Sequence, residues 1–351
     1  MTACREDAAW LGRHLQARLA GVRFPLTGTF ELTQRCNFSC PHCYLGPRRA
    51  GGPELGSGAI QALLDQAAGA GCLSLALTGG EPLLRADFPA IWRHAHRLGF
   101  LLSLFTNGSL LGPEAVALLA DHPPRVVEIS LYGAGRAGYA ALTGDGEHFQ
   151  AVLEGIDRLL ARGIRVALKA VLLAPLAGEL EGLRALGGAR GLEVRLDPGV
   201  HRTLDGDVGP SAQRLVASAA VAEELATPGA RARLATYDRA WRAQPEAARR
   251  APCAAGYHAF HLDPEGRLMA CMLHRAPAPD AARLGFSAAW EALGEAGRLS
   301  FQPGSACVDC PLGHLCGYCP AVQGLGEEPE FHCEVASARR RVLESDPVGG
   351  E

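Results

Sequence analysis

Apolar positions between residues 29 and 197 switch back and forth between two patterns. Short continuous or alternating runs at 29–32, 73–78, 101–106, 126–131, 166–172 and 192–196 read as strands. Between them, residues 58–70, 88–98, 113–119, 149–162 and 179–186 space their apolar positions three or four apart, the helical period. Strands alternating with helices predict parallel pairing with right-handed crossovers. Six such strands are two short of a closed eightfold barrel, so an open α/β barrel is expected. Its chemistry should gather in the loops at the carboxyl ends of the strands.

The flanks differ from this core. Residues 1–26 predict a lead-in with one amphipathic helix at 8–19 and a turn at Pro25. Residues 27–209 hold the barrel, 210–252 an Ala-rich helical linker, and 253–351 a Cys-rich region. The loops rich in Gly and Pro at 46–56 and 133–146 are expected to be surface or lid segments. No internal repeat is visible.

Composition narrows the class. The chain has 351 residues, nearly half of them apolar, enough for one large domain with a smaller one and an ample core. A net charge of −3 without a block of like charges argues against capture of nucleic acid or acidic lipid. The pair Arg249 and Arg250, close to Glu246, reads as a solvated helix end. The apolar run at 166–176 is interrupted by Lys169 and Pro175 and falls short of a membrane span. Arg5, Glu6 and Asp7 together do not fit a signal peptide, so a cytoplasmic location is expected. Twelve cysteines in a chain of this length cluster at metal-like spacings and do not suggest a small disulfide scaffold.

Three of them, Cys36, Cys40 and Cys43, follow the first strand as C-x3-C-x2-C. Three thiolates on a four-iron cube leave one iron open to bind a small molecule and pass it an electron. A structural zinc site closes with four ligands, and a ferredoxin loop carries a fourth cysteine followed by proline; neither pattern is present here. After the second strand comes Gly79-Gly80-Glu81-Pro82, with glycines suited to close approach by a ligand and a carboxylate able to accept from an ammonium group. An ordinary strand-to-helix turn would use the same residues. Thr106 and Asn107 end the third strand and Ser130 the fourth. Lys169 interrupts the apolar fifth strand, where a lysine is costly unless paired or unless its amine snorkels to the surface.

The second array runs Cys253-x17-Cys271, Cys307-x2-Cys310-x5-Cys316-x2-Cys319, then Cys333. A zinc ribbon on Cys307, Cys310, Cys316 and Cys319 would strand the other three, whereas iron-sulfur ligation uses all seven. Cys4 reads as a free thiol and Cys72 as a small buried hydrophobe.

Taken together, residues 29–333 resemble the radical S-adenosylmethionine (SAM) enzymes, and the later cysteines are similar to the C-terminal SPASM extension found in many peptide-modifying members. The resemblance implies a partial (β/α)6 TIM-type barrel followed by a small iron-sulfur domain. It implies a 4Fe-4S cluster on Cys36, Cys40 and Cys43 that chelates SAM and cleaves it reductively, giving a 5'-deoxyadenosyl radical that abstracts hydrogen from a substrate. Gly79, Gly80 and Glu81 would hold the SAM amino group, and His42 would take the place of an aromatic ring against adenine. Thr106 and Asn107 would face the ribose, Ser130 the carboxylate or ribose, and Lys169 the carboxylate. Two auxiliary 4Fe-4S clusters are implied, one on Cys307, Cys310, Cys316 and Cys333, the other on Cys253, Cys271 and Cys319. The fourth ligand of the latter would be His258, His261, water or substrate. The two-residue gap between Cys316 and Cys319 departs from the usual three.

The substrate implied is a ribosomal peptide undergoing cross-linking or oxidative maturation. The same chemistry on a sulfatase, to give formylglycine, or on a cofactor, haem or sugar precursor is the alternative. A non-catalytic electron carrier would have no use for Gly79-Gly80-Glu81 or Lys169. An electron donor such as flavodoxin or ferredoxin is expected. A lead-in of 26 residues or so is too short for a fused leader-binding module, so recognition is expected from a separate leader-peptide-binding protein or from the SPASM surface and the loops at 46–56 and 133–146. Asp197, Tyr132 and Arg136 are further candidates on the active face.

Overall fold

The computed structural model describes residues 22–46, 51–243, 253–294, 297 and 299–345. The helix expected at 8–19, Cys4, and the pair Arg249 and Arg250 lie outside them. The six expected strands are present: β1 (Thr27–Glu31), β2 (Ser74–Thr78), β3 (Leu101–Thr106), β4 (Val126–Ser130), β5 (Val166–Val171) and β6 (Val194–Asp197). All pair in parallel with their sequence neighbours. Crossover helices Ser57–Gly69, Phe88–Arg97, Pro113–Asp121, His148–Ala161 and Leu180–Gly188 separate them.

Alternation along each strand assigns its two faces. Phe30, Leu77, Leu104, Ile129, Leu168 and Leu196 are buried in one core with Ile60, Ile91, Trp92 and Ile156 of the helices. Their sequence neighbours Glu31, Phe105, Glu128, Ser130, Lys169 and Arg195 therefore share the opposite, inner face of the sheet. That face is polar, and it is where substrate chemistry belongs.

Two short strands of the Cys-rich region extend the same sheet. β7 (Ala259–Leu262) pairs in parallel with β1, and β8 (Leu268–Met269) pairs antiparallel with β7, so the sheet runs on past residue 253. Segments this short carry no readable period.

The loop at 133–146 contains a helix, Arg136–Thr143, whose Tyr139 and Leu142 are buried. It is bolted to the cysteine loop by the Ser39 N–H, which donates to the Thr143 carbonyl at 2.8 Å. Gly138 lets the Glu179 carboxylate in: an added Cβ would stand 2.2 Å from Glu179 Oε1. The described part of the loop at 46–56 is likewise anchored. Glu54 bonds the Thr33 hydroxyl, Arg35 and Arg85, and the Leu55 N–H donates to the Pro264 carbonyl at 2.8 Å. Neither segment is a free lid, because each carries buried or ion-paired side chains that fix it.

The linker region forms helices Ala217–Ala226 and Ala230–Arg242. The first packs Val221 and Leu225 against Val335 and Ala338 of the helix Glu330–Ser345. Among the described residues no helix is long and apolar enough to cross a membrane.

Candidate cluster and cofactor site

The cysteine loop leaves β1 at Leu32 and is shaped by its own polar side chains. Thr33 Oγ1 accepts from the Arg35 N–H at 3.0 Å, and Asn37 Nδ2 donates to Ser109 Oγ at 2.9 Å. Phe38 is buried and meets Tyr132 edge-on at 5.6 Å. The Phe38 N–H and Asn107 Nδ2 point at Cys36 Sγ, at 3.4 and 3.7 Å. Burial pushes the Cys36 thiol up, and these two donors act the other way by favouring thiolate. Tyr132 lies within electrostatic reach of Cys36, Cys40 and Cys43 together, so the three thiols converge.

Gly79 and Gly80 are required by backbone, and the backbone they meet is that of the cysteine loop. A Cβ on Gly79, whose φ is +151°, would sit 2.3 Å from the Thr33 carbonyl oxygen, and one on Gly80 would sit 2.3 Å from that of Arg35. The Gly80 and Glu81 N–H groups donate to those same two carbonyls at 2.8 Å. The glycines thus clamp the loop after β2 onto the loop after β1, where the sequence suggested approach to a ligand.

Glu81 is fully buried at this junction. Its carboxylate accepts from Asn107 N–H at 2.7 Å, Leu83 N–H at 3.0 Å and the Thr106 hydroxyl at 2.8 Å. Burial nevertheless lifts its pKa to about 7, and among the described residues it has no ion pair. A buried carboxylate lacking a cation is suited to an ammonium ligand. Thr106 and Asn107 serve Glu81 and Cys36 here, because a buried carboxylate must have donors.

His42 is kept neutral by burial, its pKa lowered to about 4. Its ring lies 5.7 Å from that of Tyr132, and its Nδ1 is buried without a hydrogen bond. Ser130 and Lys169 are register partners on the inner face, and the Ser130 hydroxyl acts to lower the Tyr132 pKa against its burial. Lys169 already has a protein partner: its Nζ lies 2.7 Å from Glu128 Oε1, with Arg195 3.7 Å from the same oxygen. Part of the cost of a lysine in this strand is met across the β4–β5 ladder, and the side chain stays partly exposed. Asp197 caps its own turn through the Gly199 N–H at 2.8 Å, and Arg136 is an exposed partner of Glu147.

A second inner-face cluster escaped the sequence reading. Glu31 is fully buried, with Arg275 Nη2 at 3.1 Å, the Tyr44 hydroxyl at 3.4 Å and His261 Nε2 at 3.6 Å. Burial acts to raise the Glu31 pKa, but His261 and Arg275 outweigh it and hold it below the usual value. The signal was available: a lone acid in the run Thr29-Phe30-Glu31-Leu32 poses the same problem as Lys169. His261 Nδ1 bonds Thr29 Oγ1 at 2.7 Å on this face, and its Nε2 is buried without a hydrogen bond.

The later cysteines fall into two sets. Cys253, Cys271 and Cys319 act on one another's thiols. Cys316 is raised to about 11 by burial and then by Cys333, Cys310 and Cys307. The four cysteines a zinc ribbon would need are thereby split. Sulfurs around tetrahedral zinc stand about 3.8 Å apart, given a Zn–S bond of about 2.3 Å. Among the described residues no three thiols lie within 4.8 Å of one another. Cys72 is buried apart, its thiol pushed to about 12.

Residues 30–179 match the Radical SAM superfamily. These residues form a radical SAM domain. The chain is 32% identical over 166 residues to the PqqA peptide cyclase of Xanthomonas euvesicatoria pv. vesicatoria (strain 85-10), covering 46% of this chain and 44% of the relative. It is 31% identical over 179 residues to the mycofactocin maturase MftC of Mycobacterium ulcerans (strain Agy99), covering 50% of this chain and 48% of that protein. The chain thus spans about half the length of the curated relatives it matches. Across 93% of the chain the fold is like that of Streptococcus suis SuiB bound to S-adenosylmethionine, which is covered to 81%, with a TM-score of 0.69 at 17% identity. It is also like native anSMEcpe with bound AdoMet, covering 92% of this chain and 97% of the other, with a TM-score of 0.66 at 14% identity. A radical SAM domain binds a 4Fe-4S cluster and SAM. The converging thiols, the cation-free Glu81 and the unpaired His42 Nδ1 fit that pair of groups.

Proposed function

We propose that the chain is a radical SAM peptide maturase, acting on a ribosomally made peptide that it cross-links or oxidises. The observation that carries the SAM chemistry is Glu81, buried without a cation and clamped by Gly79 and Gly80 to the loop that presents Cys36, Cys40 and Cys43. When bound, the cluster and SAM supply an electron transfer that opens the sulfonium bond and yields a hydrogen-abstracting radical. Glu81 accepts from the methionine ammonium. Ser130 and Lys169, adjacent in register, receive the carboxylate, and the two cations around Glu128 leave that strand pair with positive charge to spare. His42 and Tyr132 flank the adenine. The inner face beyond Lys169 holds the substrate.

Cys307, Cys310, Cys316 and Cys333 hold one auxiliary 4Fe-4S cluster and Cys253, Cys271 and Cys319 the other, in a SPASM domain at 253–351 that follows the barrel at 27–209 and the linker at 210–252. When bound, these clusters would accept the electron left after bond formation or carry electrons through the protein. The enzyme works in the cytoplasm with a flavodoxin or ferredoxin as donor and a separate leader-peptide-binding protein.

The peptide class is supported by the two relatives named as a peptide cyclase and a maturase, each sharing nearly a third of its residues over the matched half. Co-expression with a neighbouring short open reading frame tests it. The expected product is a peptide changed in mass, such as by loss of two hydrogens, dependent on SAM and on Cys36. Unmodified peptides beside turnover of a sulfatase or a small metabolite would replace this reading.

A further inference from the structure

The loop after β6 and the last cysteine segment meet at one buried carboxylate, that of Glu327. Its Oε1 accepts from His332 Nε2 at 2.7 Å and from Arg214 Nη2. Its Oε2 accepts from the Arg202 N–H at 3.3 Å, and His201 Nδ1 stands 3.7 Å away. The Tyr318 hydroxyl donates to the Glu327 carbonyl at 2.7 Å. Arg214 is braced in turn, its Nε on the Val200 carbonyl at 2.5 Å and its guanidinium 4.6 Å from the centre of the Phe331 ring. Burial acts to raise the Glu327 pKa, but His201, His332 and Arg214 hold it far below the carboxylate range, so the pair is ionic and nearly dry.

Its place in the fold gives the pair a use. His332 immediately precedes Cys333, and Tyr318 lies between Cys316 and Cys319 in the chain. Glu327 acts electrostatically on the Cys319 thiol and lines one cavity with Cys307 and Tyr318. It therefore borders both cysteine sets, while Arg214 and His201 come from the barrel side. His201, Glu327 and His332 also have the mutual spacing of a metal site, with ligand atoms within 4.8 Å of one another. Arg214 argues against an ion there, because its guanidinium already balances the carboxylate and would repel a divalent cation.

We propose that the Glu327–Arg214 ion pair is a positioning and charge-setting element between the two auxiliary sites. Glu327 orients His332, and with it Cys333, while the balanced pair fixes the field in which both clusters change oxidation state. This rests on the reading of the seven cysteines as cluster ligands. A reduced cluster carries one more negative charge than an oxidised one, and in a dry surround neighbouring charges weigh heavily on that difference. Loss of the Glu327 charge leaves Arg214 positive and favours the reduced form. Loss of the Arg214 charge leaves Glu327 negative and favours the oxidised form.

The test is a redox titration, followed by electron paramagnetic resonance, of full-length anaerobically reconstituted protein in which Cys36, Cys40 and Cys43 are Ala, so that only auxiliary signals remain. Glu327→Gln should move an auxiliary midpoint to more positive potential and Arg214→Gln to more negative, with the double variant returning close to the parent at unchanged iron content. Absence of a shift, shifts of one sign in both single variants, or iron loss that the double variant does not restore would overturn the inference. So would one equivalent of a divalent metal, beyond the cluster iron, that Glu327→Gln loses and Arg214→Gln keeps. Metal analysis of the parent comes first: zinc in place of iron at the seven cysteines would overturn the cluster assignment itself, and is told apart from the other outcomes by that analysis.

Discussion

Lys169 reaches diagonally across the β4–β5 ladder to Glu128, with 2.7 Å between Nζ and Oε1, and Arg195 shares the same carboxylate at 3.7 Å. One carboxylate between two cations leaves a net positive charge on the inner face, beside Ser130. If that charge receives the SAM carboxylate, the two partners respond in opposite directions. Lys169→Met should weaken SAM binding about tenfold, the low end of a charged hydrogen bond of about 1.5 to 3 kcal/mol, because Glu128 already engages the amine. Glu128→Gln should leave binding as tight or tighter. Calorimetry on iron-replete protein measures both, and equal losses from the two variants would show that the pair is only structural.

Glu81 predicts a pH signature. Its pKa stands at about 7 against an ordinary 4.5, so without SAM the stability tied to its proton is full below 4.5 and is lost as pH rises through 7. An ammonium beside it reverses the preference and expels the proton. Near pH 7, SAM binding should therefore release about half a proton from this group, seen as a buffer-dependent binding enthalpy. Glu81→Gln should abolish that share of the release while keeping iron. Proton release unaltered in the variant would place the ammonium elsewhere.

Glu31 and Arg275 join β1 to the segment after Cys271. Removing one partner of a buried ion pair strands the other, at a cost of about 3 to 5 kcal/mol. Arg275→Met should lower stability by that order in a denaturant titration, and adding Glu31→Gln should recover most of it. The sign with pH follows from the lowered Glu31 pKa: its contribution is present above 4.5 and is lost as pH falls through the folded value. Acid unfolding of Arg275→Met should begin at higher pH than that of the parent. No additional recovery in the double variant would mean the pair is not coupled.

The sheet was legible because its signals are local. The alternation of Val166 to Val171 and the spacing of Cys36, Cys40 and Cys43 are complete within a few residues of chain. Gly79-Gly80-Glu81 was legible as a motif, yet its glycines answer to the Thr33 and Arg35 carbonyls, a contact between loops that no spacing reveals. Arg275 lies 244 positions from Glu31, and Glu327 lies 113 from Arg214. Arg275, Arg214 and Glu327 look like ordinary surface charges until the fold brings them to their partners. The helix Arg136–Thr143 was hidden by glycines that suggested a loop, although Tyr139 and Leu142 had the spacing to bury.

Iron content follows from the two cysteine sets. Reconstituted protein should carry about twelve irons, and the variant with Cys36, Cys40 and Cys43 replaced by Ala about eight, if each site holds a four-iron cube. Replacing Cys316 by Ala should remove about four from the parent, and zinc should be absent from both. Stoichiometric zinc retained through reconstitution would remove the auxiliary clusters from the assignment.

The most direct measurement is 5'-deoxyadenosine formation from SAM by reduced, anaerobically reconstituted protein. The parent should produce it. The Cys36, Cys40 and Cys43 variant should produce none, while its remaining iron signals persist. Nucleoside formation at the parental rate by that variant, or none from an iron-replete parent that binds SAM, would contradict radical SAM chemistry at this site.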